Sequence, residues 1–248
     1  KFGNLTKSGA AIGTANNVNN AADILSLLML QVGTKMISDD GTEAAFDRSI
    51  NAGSSTYKPG ESALRFYTDF ASSKSKAYAW NDKLPNSFDA FASGQTAIIF
   101  DYAVNLPRLK QRAPNLRLGI APVPQLADAT KVVNYADFWG YSVPLASKNS
   151  SAAWDFLVFL TSKDINQYFS KAVFRPASRR DVLNEEQSLP DLGVFADSIL
   201  SATNWYRVDP GAINNIFKEM INSVVLGNIK PADAVSDAAA KITSLMRK

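Results

Sequence analysis

The chemistry open to this sequence is bounded first by what it lacks. Histidine and cysteine are both absent from its 248 residues. That removes the commonest general base, the imidazole and thiolate ligands of zinc, the Ser-His-Asp arrangement and every thiol nucleophile. Carboxylates remain. Asp101, Asp137 and Asp209 could approach one cleft, and because carboxyl separation is invisible in sequence, a carboxylate-dependent glycan-active enzyme stays an open reading. Ser73 to Lys76 and Ser55 to Lys58 match Ser-x-x-Lys, yet neither Ser-Asp-Asn nor Lys-Thr-Gly accompanies them. They read as chance in Ser/Lys-rich stretches. No Walker A, G-x-G-x-x-G or G-x-S-x-G pattern occurs, so no catalytic residue, metal site or cofactor is expected.

The elements that must position any site follow from breakers and periodicity. Lys7 to Ala15 reads as a short strand and a Gly-Thr turn, after which the cluster Asn16, Asn17, Asn19, Asn20 offers caps to a helix over about 21–32. That helix is apolar almost all round and should be buried, with Gly33 as its stop. Asp39-Asp40-Gly41 signals a turn and Gly53 to Gly60 a polar loop, with a helix beginning near Glu61 and turning Leu64, Phe66, Tyr67 and Phe70 inward. Ser87 to Ser93 is a short helix delivering Phe88 and Phe91, and Ala97 to Phe100 is expected to be a central buried strand. Leu116 to Ile120 and Tyr135 to Val143 are further strand candidates.

Beyond Pro144, a helix from about Ser151 should bury Ala153, Trp154, Leu157, Val158 and Leu160, with Phe169 and Phe174 continuing the packing. A short helix over 190–200, the polar Asn204 to Gly211 loop, a helix over about 212–226 ended by Gly227, and a last helix opened by Pro231 complete the chain.

At 46% hydrophobic content the chain can bury a large core. Lys and Arg number 26 against 23 Asp and Glu, spread without a basic stripe, so nucleic acid is not an expected partner. No apolar run reaches the ~18 residues that span a bilayer. Without cysteine there is no disulfide framework, which leaves the compartment open. The chain opens at Lys1 without a signal-like segment, which reads as a missing natural N-terminus.

Several pieces occur in a telling order: Gly94-Gln-Thr-Ala-Ile-Ile-Phe100, Leu118-Gly-Ile-Ala-Pro-Val-Pro124, Trp139-Gly-Tyr-Ser-Val-Pro144, Ala152-Ala-Trp-Asp-Phe-Leu157, and a closing Pro231-Ala-Asp-Ala-Val235. This order resembles the sugar-binding, maltose-binding-protein-like solute-binding proteins of bacterial ABC transporters, over nearly the whole chain. The resemblance implies an α/β, periplasmic-binding-protein-like type II fold, mainly the C-terminal lobe with a mixed sheet flanked by helices. It places residues 1–132 and 190–248 in the C-terminal lobe and 144–189 in the N-terminal lobe.

It further implies a non-catalytic, extracytoplasmic receptor that delivers a small solute, expected to be a sugar, to ABC permease subunits. Membrane association would come only through a missing N-terminal anchor or the permease. A solute-sensing domain of a signalling system is the alternative.

The resemblance also carries candidate ligand-binding residues. Aromatic faces cover the C–H patches of a sugar while Asn, Asp and Arg bond its hydroxyls. Asp101 and Tyr102 follow the Gly-Gln-Thr-Ala strand where the family presents a cleft aromatic, and Trp139 sits in a Trp-Gly turn that resembles a cleft-lining one. Tyr102 and Trp139 read equally as cleft or core, whereas Trp154 reads as core. Trp205, with Arg207 and Asp209 nearby, reads as a cleft platform or else a loop clamp. Asn17 and Asn19 read as hydroxyl ligands or as caps, capping being the favoured sense.

Overall fold

The computed structural model describes residues 5–52 and 55–247. The opening at Lys1 and Gly53, first residue of the expected loop, lie outside these. The chain divides into two compact units, one of Lys1–Asp101, Gln125–Tyr135 and Trp205–Lys248, the other of Tyr102–Pro124 and Ala136–Asn204.

The first unit is built on helix Ala21–Gln31, which packs with helices Pro59–Asp69 and Pro210–Val225, and helix Pro231–Met246 packs on those two in turn. Three of these begin with proline, whose missing N–H is no loss at a first helical position. Leu25, Met29, Leu64, Tyr67, Phe217, Ile221 and Ile242 are closed to solvent at its centre. Tyr67 donates its hydroxyl to the Thr14 carbonyl at 2.8 Å, and burial pushes its phenol above the ordinary range. Gly13 allows the chain to pass close to the end of helix Pro59–Asp69: at φ 115° it takes a conformation that side chains disfavour, and a Cβ there would meet Ala71 N at 2.7 Å. Gly33 and Gly227 end their helices at positive φ, as the sequence predicts.

Several expectations change. Ala97 to Phe100 is not a central strand: Thr96–Ile98 pairs in parallel with Ser8–Ala10 in a two-stranded sheet, and Ile98 is 53% exposed. An apolar run reads alike for a buried strand and a rim strand, because burial is set by neighbours rather than by the run itself. The expected 53–60 loop holds an antiparallel hairpin, Ile50–Ala52 against Ser55–Tyr57, and the next helix starts at Pro59 rather than Glu61. On that helix Phe66 faces outward at 53% exposure, its ring edge-on to Phe70 at 5.3 Å. The 39–41 turn forms as expected; Ser38 and Thr42 hydrogen bonds hold the Asp40 carboxyl below its ordinary pKa.

The second unit holds helices Leu106–Arg112, Ser150–Leu160, Lys163–Val173, Arg180–Glu186 and Gly193–Ile199. Its core is small: Ala177, Val182, Leu183 and Ala196, with Ile199 packed against them. Beside it Glu186 is 5% exposed yet fully occupied, taking the Ser170 hydroxyl on one oxygen and Ala177 N–H at 2.9 Å on the other. Helix Ser150–Leu160 has no buried residue. Ala153, Leu157 and Leu160 form a half-buried stripe, while Trp154 and Val158, expected inside, are exposed, as is Phe169.

Leu116 to Ile120 is not a strand, and the expected Tyr135 to Val143 strand shrinks to Asn134–Tyr135. Extended chain becomes a strand only where a neighbour accepts its hydrogen bonds.

Candidate functional site

Four of the six predicted ligand residues, Asn17, Asp101, Trp205 and Arg207, fall in the first unit, and three of them are tied to helix Ala21–Gln31 or to the residue before it. Asn20, the residue before this helix, adopts a left-handed conformation at φ 58° and donates Nδ2–H to Asp101 Oδ1 at 3.1 Å. One turn on, Asp23 accepts from Arg207 Nη1 at 3.4 Å; the two side chains are 22% and 15% exposed. The positive helix N-terminus favours a carboxylate at this position. A further turn on, Ser26, 3% exposed, accepts from Trp205 Nε1 at 3.3 Å.

The Trp205 indole also stacks on Phe217, with centroids 5.8 Å apart and planes 30° apart. This geometry is that of a clamp, binding the loop to the core through one face and the ring nitrogen. Asp209, next in the loop, accepts from Ala212 N–H at 2.9 Å and caps helix Pro210–Val225. One oxygen of its carboxylate thereby serves the helix end.

Asn17 does not cap the first helix, which corrects the capping reading. Its Oδ1 accepts from Thr14 Oγ1 at 2.5 Å and Trp80 Nε1 at 3.0 Å, while Nδ2 donates to the Asn81 and Leu84 carbonyls, both at 2.9 Å. These four bonds pin the 14–17 turn to the 80–84 stretch. Asn19 is likewise internal, accepting from Asn86 Nδ2 at 2.8 Å. Even Asn20, at the cap position itself, makes no side-chain cap bond.

In the second unit, Tyr102 is half-buried before a single 3₁₀ turn, Ala103–Asn105. Trp139 is 81% exposed between Phe138 and Tyr141, both 75% exposed, which removes the core reading for it. Asp137 is exposed in the same segment.

Sequence reasoning missed Asn20, Asp23 and Ser26 as a group. The legible signal was Asp23 and Ser26 at three-residue spacing on a mostly apolar helix, with Asn20 three residues before Asp23, where solubility gives no reason for them. Two grooves of about 410 and 310 Å³ also lie in the first unit, one beside Glu43 and Thr243, the other beside Met220 and Leu226. Neither is lined by a predicted ligand residue. Among the described residues, no three acidic side chains come together in a way that could hold a metal ion.

Residues 5–193 match the family of bacterial extracellular solute-binding proteins. A curated binding protein of Brucella abortus (strain 2308) is 26% identical over 162 residues, covering 64% of this chain and 39% of the relative. A counterpart in Brucella suis biovar 1 matches equally. The chain thus spans about two fifths of the length of the curated relatives it matches.

Among solved structures, the sugar-binding protein MalE from Xanthomonas citri superposes with a TM-score of 0.71 at 17% identity, covering 99% of this chain and 60% of that one. The maltose/maltodextrin-binding domain MalE from Bdellovibrio bacteriovorus, bound to maltotriose, gives 0.66 at 16%, covering 100% and 62%. An ABC transporter solute-binding protein from Thermotoga lettingae, bound to alpha-D-tagatose, gives 0.62 at 19%, covering 97% and 60%. These likenesses establish the fold as α/β and periplasmic-binding-protein-like.

Proposed function

The chain belongs to the bacterial extracellular solute-binding proteins, and from that premise we propose that it is an extracytoplasmic receptor that captures a carbohydrate and passes it to an ABC importer. The observation that carries this reading is the likeness of 97% to 100% of the chain to solved receptors whose bound ligands or names are sugars. The hydrogen-bonding set Asp101 and Arg207, with the amphipathic Trp205 indole beside it, suits hydroxyl and C–H recognition. Asn17 belongs to the proposed ligand set through the loop it pins rather than through its own amide, and Tyr102 and Trp139, in the second unit, are proposed ligand residues on the family resemblance.

The finer reading assigns 1–132 and 190–248 to the C-terminal lobe and 144–189 to the N-terminal lobe. The partners are permease subunits, and the membrane is met through them or through an N-terminal anchor. The family is one of binding proteins, and the use of Asp209 as a helix cap weighs against a paired-carboxylate enzyme.

A thermal-shift screen of neutral mono- and oligosaccharides, amino acids and short peptides, followed by calorimetry, tests the proposal. At least one sugar should raise the melting temperature. Stabilisation by peptides or amino acids alone would replace the carbohydrate reading.

A further inference from the structure

Asp23 and Ser26 stand on a helix whose remaining faces are packed, with Asn20 the residue just before it, and a polar group in such surroundings is unfavourable without a partner. Each partner is a proposed ligand residue: Asp101, Arg207 and Trp205 in turn. We propose that Asp23 is a positioning and specificity residue, which orients the Arg207 guanidinium and offsets its charge so that the site takes a neutral hydroxylated ligand in preference to an anionic one. This rests on the carbohydrate reading above.

A guanidinium carries five donors in a rigid fork, so engaging Nη1 fixes the plane in which the others lie. The Asp23 carboxylate beside it leaves little net positive charge to attract an acid. Asp101, whose Oδ1 accepts from Asn20, adds no cation. A role limited to tying the loop down would need neither the charge nor the fork, since the Ser26 contact to Trp205 and the Phe217 stack already hold the loop.

The test is hydrogen exchange of the Arg207 Nε–H followed by NMR in the full chain, with Arg48 and Arg65 as internal references. Losing a charge-assisted contact in Asp23→Asn should speed Arg207 exchange about tenfold while the references hold. Asp23→Glu, which keeps the charge, should stay close to wild type. In parallel, Asp23→Asn should shrink the preference for galactose over galacturonate by about tenfold.

An Arg207 signal indifferent to Asp23→Asn, or one that moves only together with Arg48 and Arg65, overturns the positioning role. An unchanged sugar preference overturns the specificity role. A wild-type chain that binds neither galactose nor any other sugar sinks the carbohydrate reading instead, and the guanidinium signal still decides the geometry.

Discussion

Helices Ala21–Gln31 and Ser150–Leu160 are each 11 residues long and each apolar around most of their circumference, yet they end in opposite environments. The first buries seven residues, Ser26 among them; the second buries none. Composition therefore does not separate them, and neighbours do. Two helices, strand Asn134–Tyr135 and the Trp205 loop pack on the first, whereas the second makes its main contact with helix Lys163–Val173 and leaves Trp154, Phe156 and Phe159 more than half exposed. An apolar helix is a demand for contact, and the demand is met only where other segments arrive.

The largest effect that would sharpen this contrast is a cavity in the first helix. Leu25→Ala, at a fully closed position, should cost about 2–5 kcal/mol in denaturant unfolding. A loss near that of a surface change would break the comparison.

Trp205 comes next. Trp205→Ala removes the Phe217 stack and the Ser26 bond, and with a bound sugar it should also weaken calorimetric affinity by on the order of 1 kcal/mol or more. Were the melting temperature to fall while affinity stayed constant in the folded protein, Trp205 would be a clamp alone and would leave the ligand set.

The smallest expected effect tests the second helix. Trp154→Ser should change unfolding stability by no more than about 0.5 kcal/mol, as at other surface positions. A cost approaching that of Leu25→Ala would mean that this face is covered in solution.

Local signals carried much of the fold. Gly33 and Gly227 mark their helix ends, Pro231 opens the last helix, and the Asp39-Asp40-Gly41 turn stands where read, because each depends on φ preferences or short-range bonds contained within a few residues. The ordered pieces from Gly94 onward likewise led to the family that residues 5–193 match.

The candidate site was legible in part. Asp101, Trp205 and Arg207 were singled out, but their common support on the first helix was not, since Ser26 lies 179 positions from Trp205 and Asp23 lies 184 from Arg207. The sequence by itself determined residue chemistry, several helix ends and family, all of which are written in neighbouring residues. Tertiary structure alone decided that Asn17 would be used up on Trp80, Asn81 and Leu84, that Ile98 and Trp154 would face outward, and that Asp23 would meet Arg207. The reason is physical: burial and pairing belong to contacts between distant segments, and an apolar or polar side chain reads the same in sequence whether or not its partner arrives.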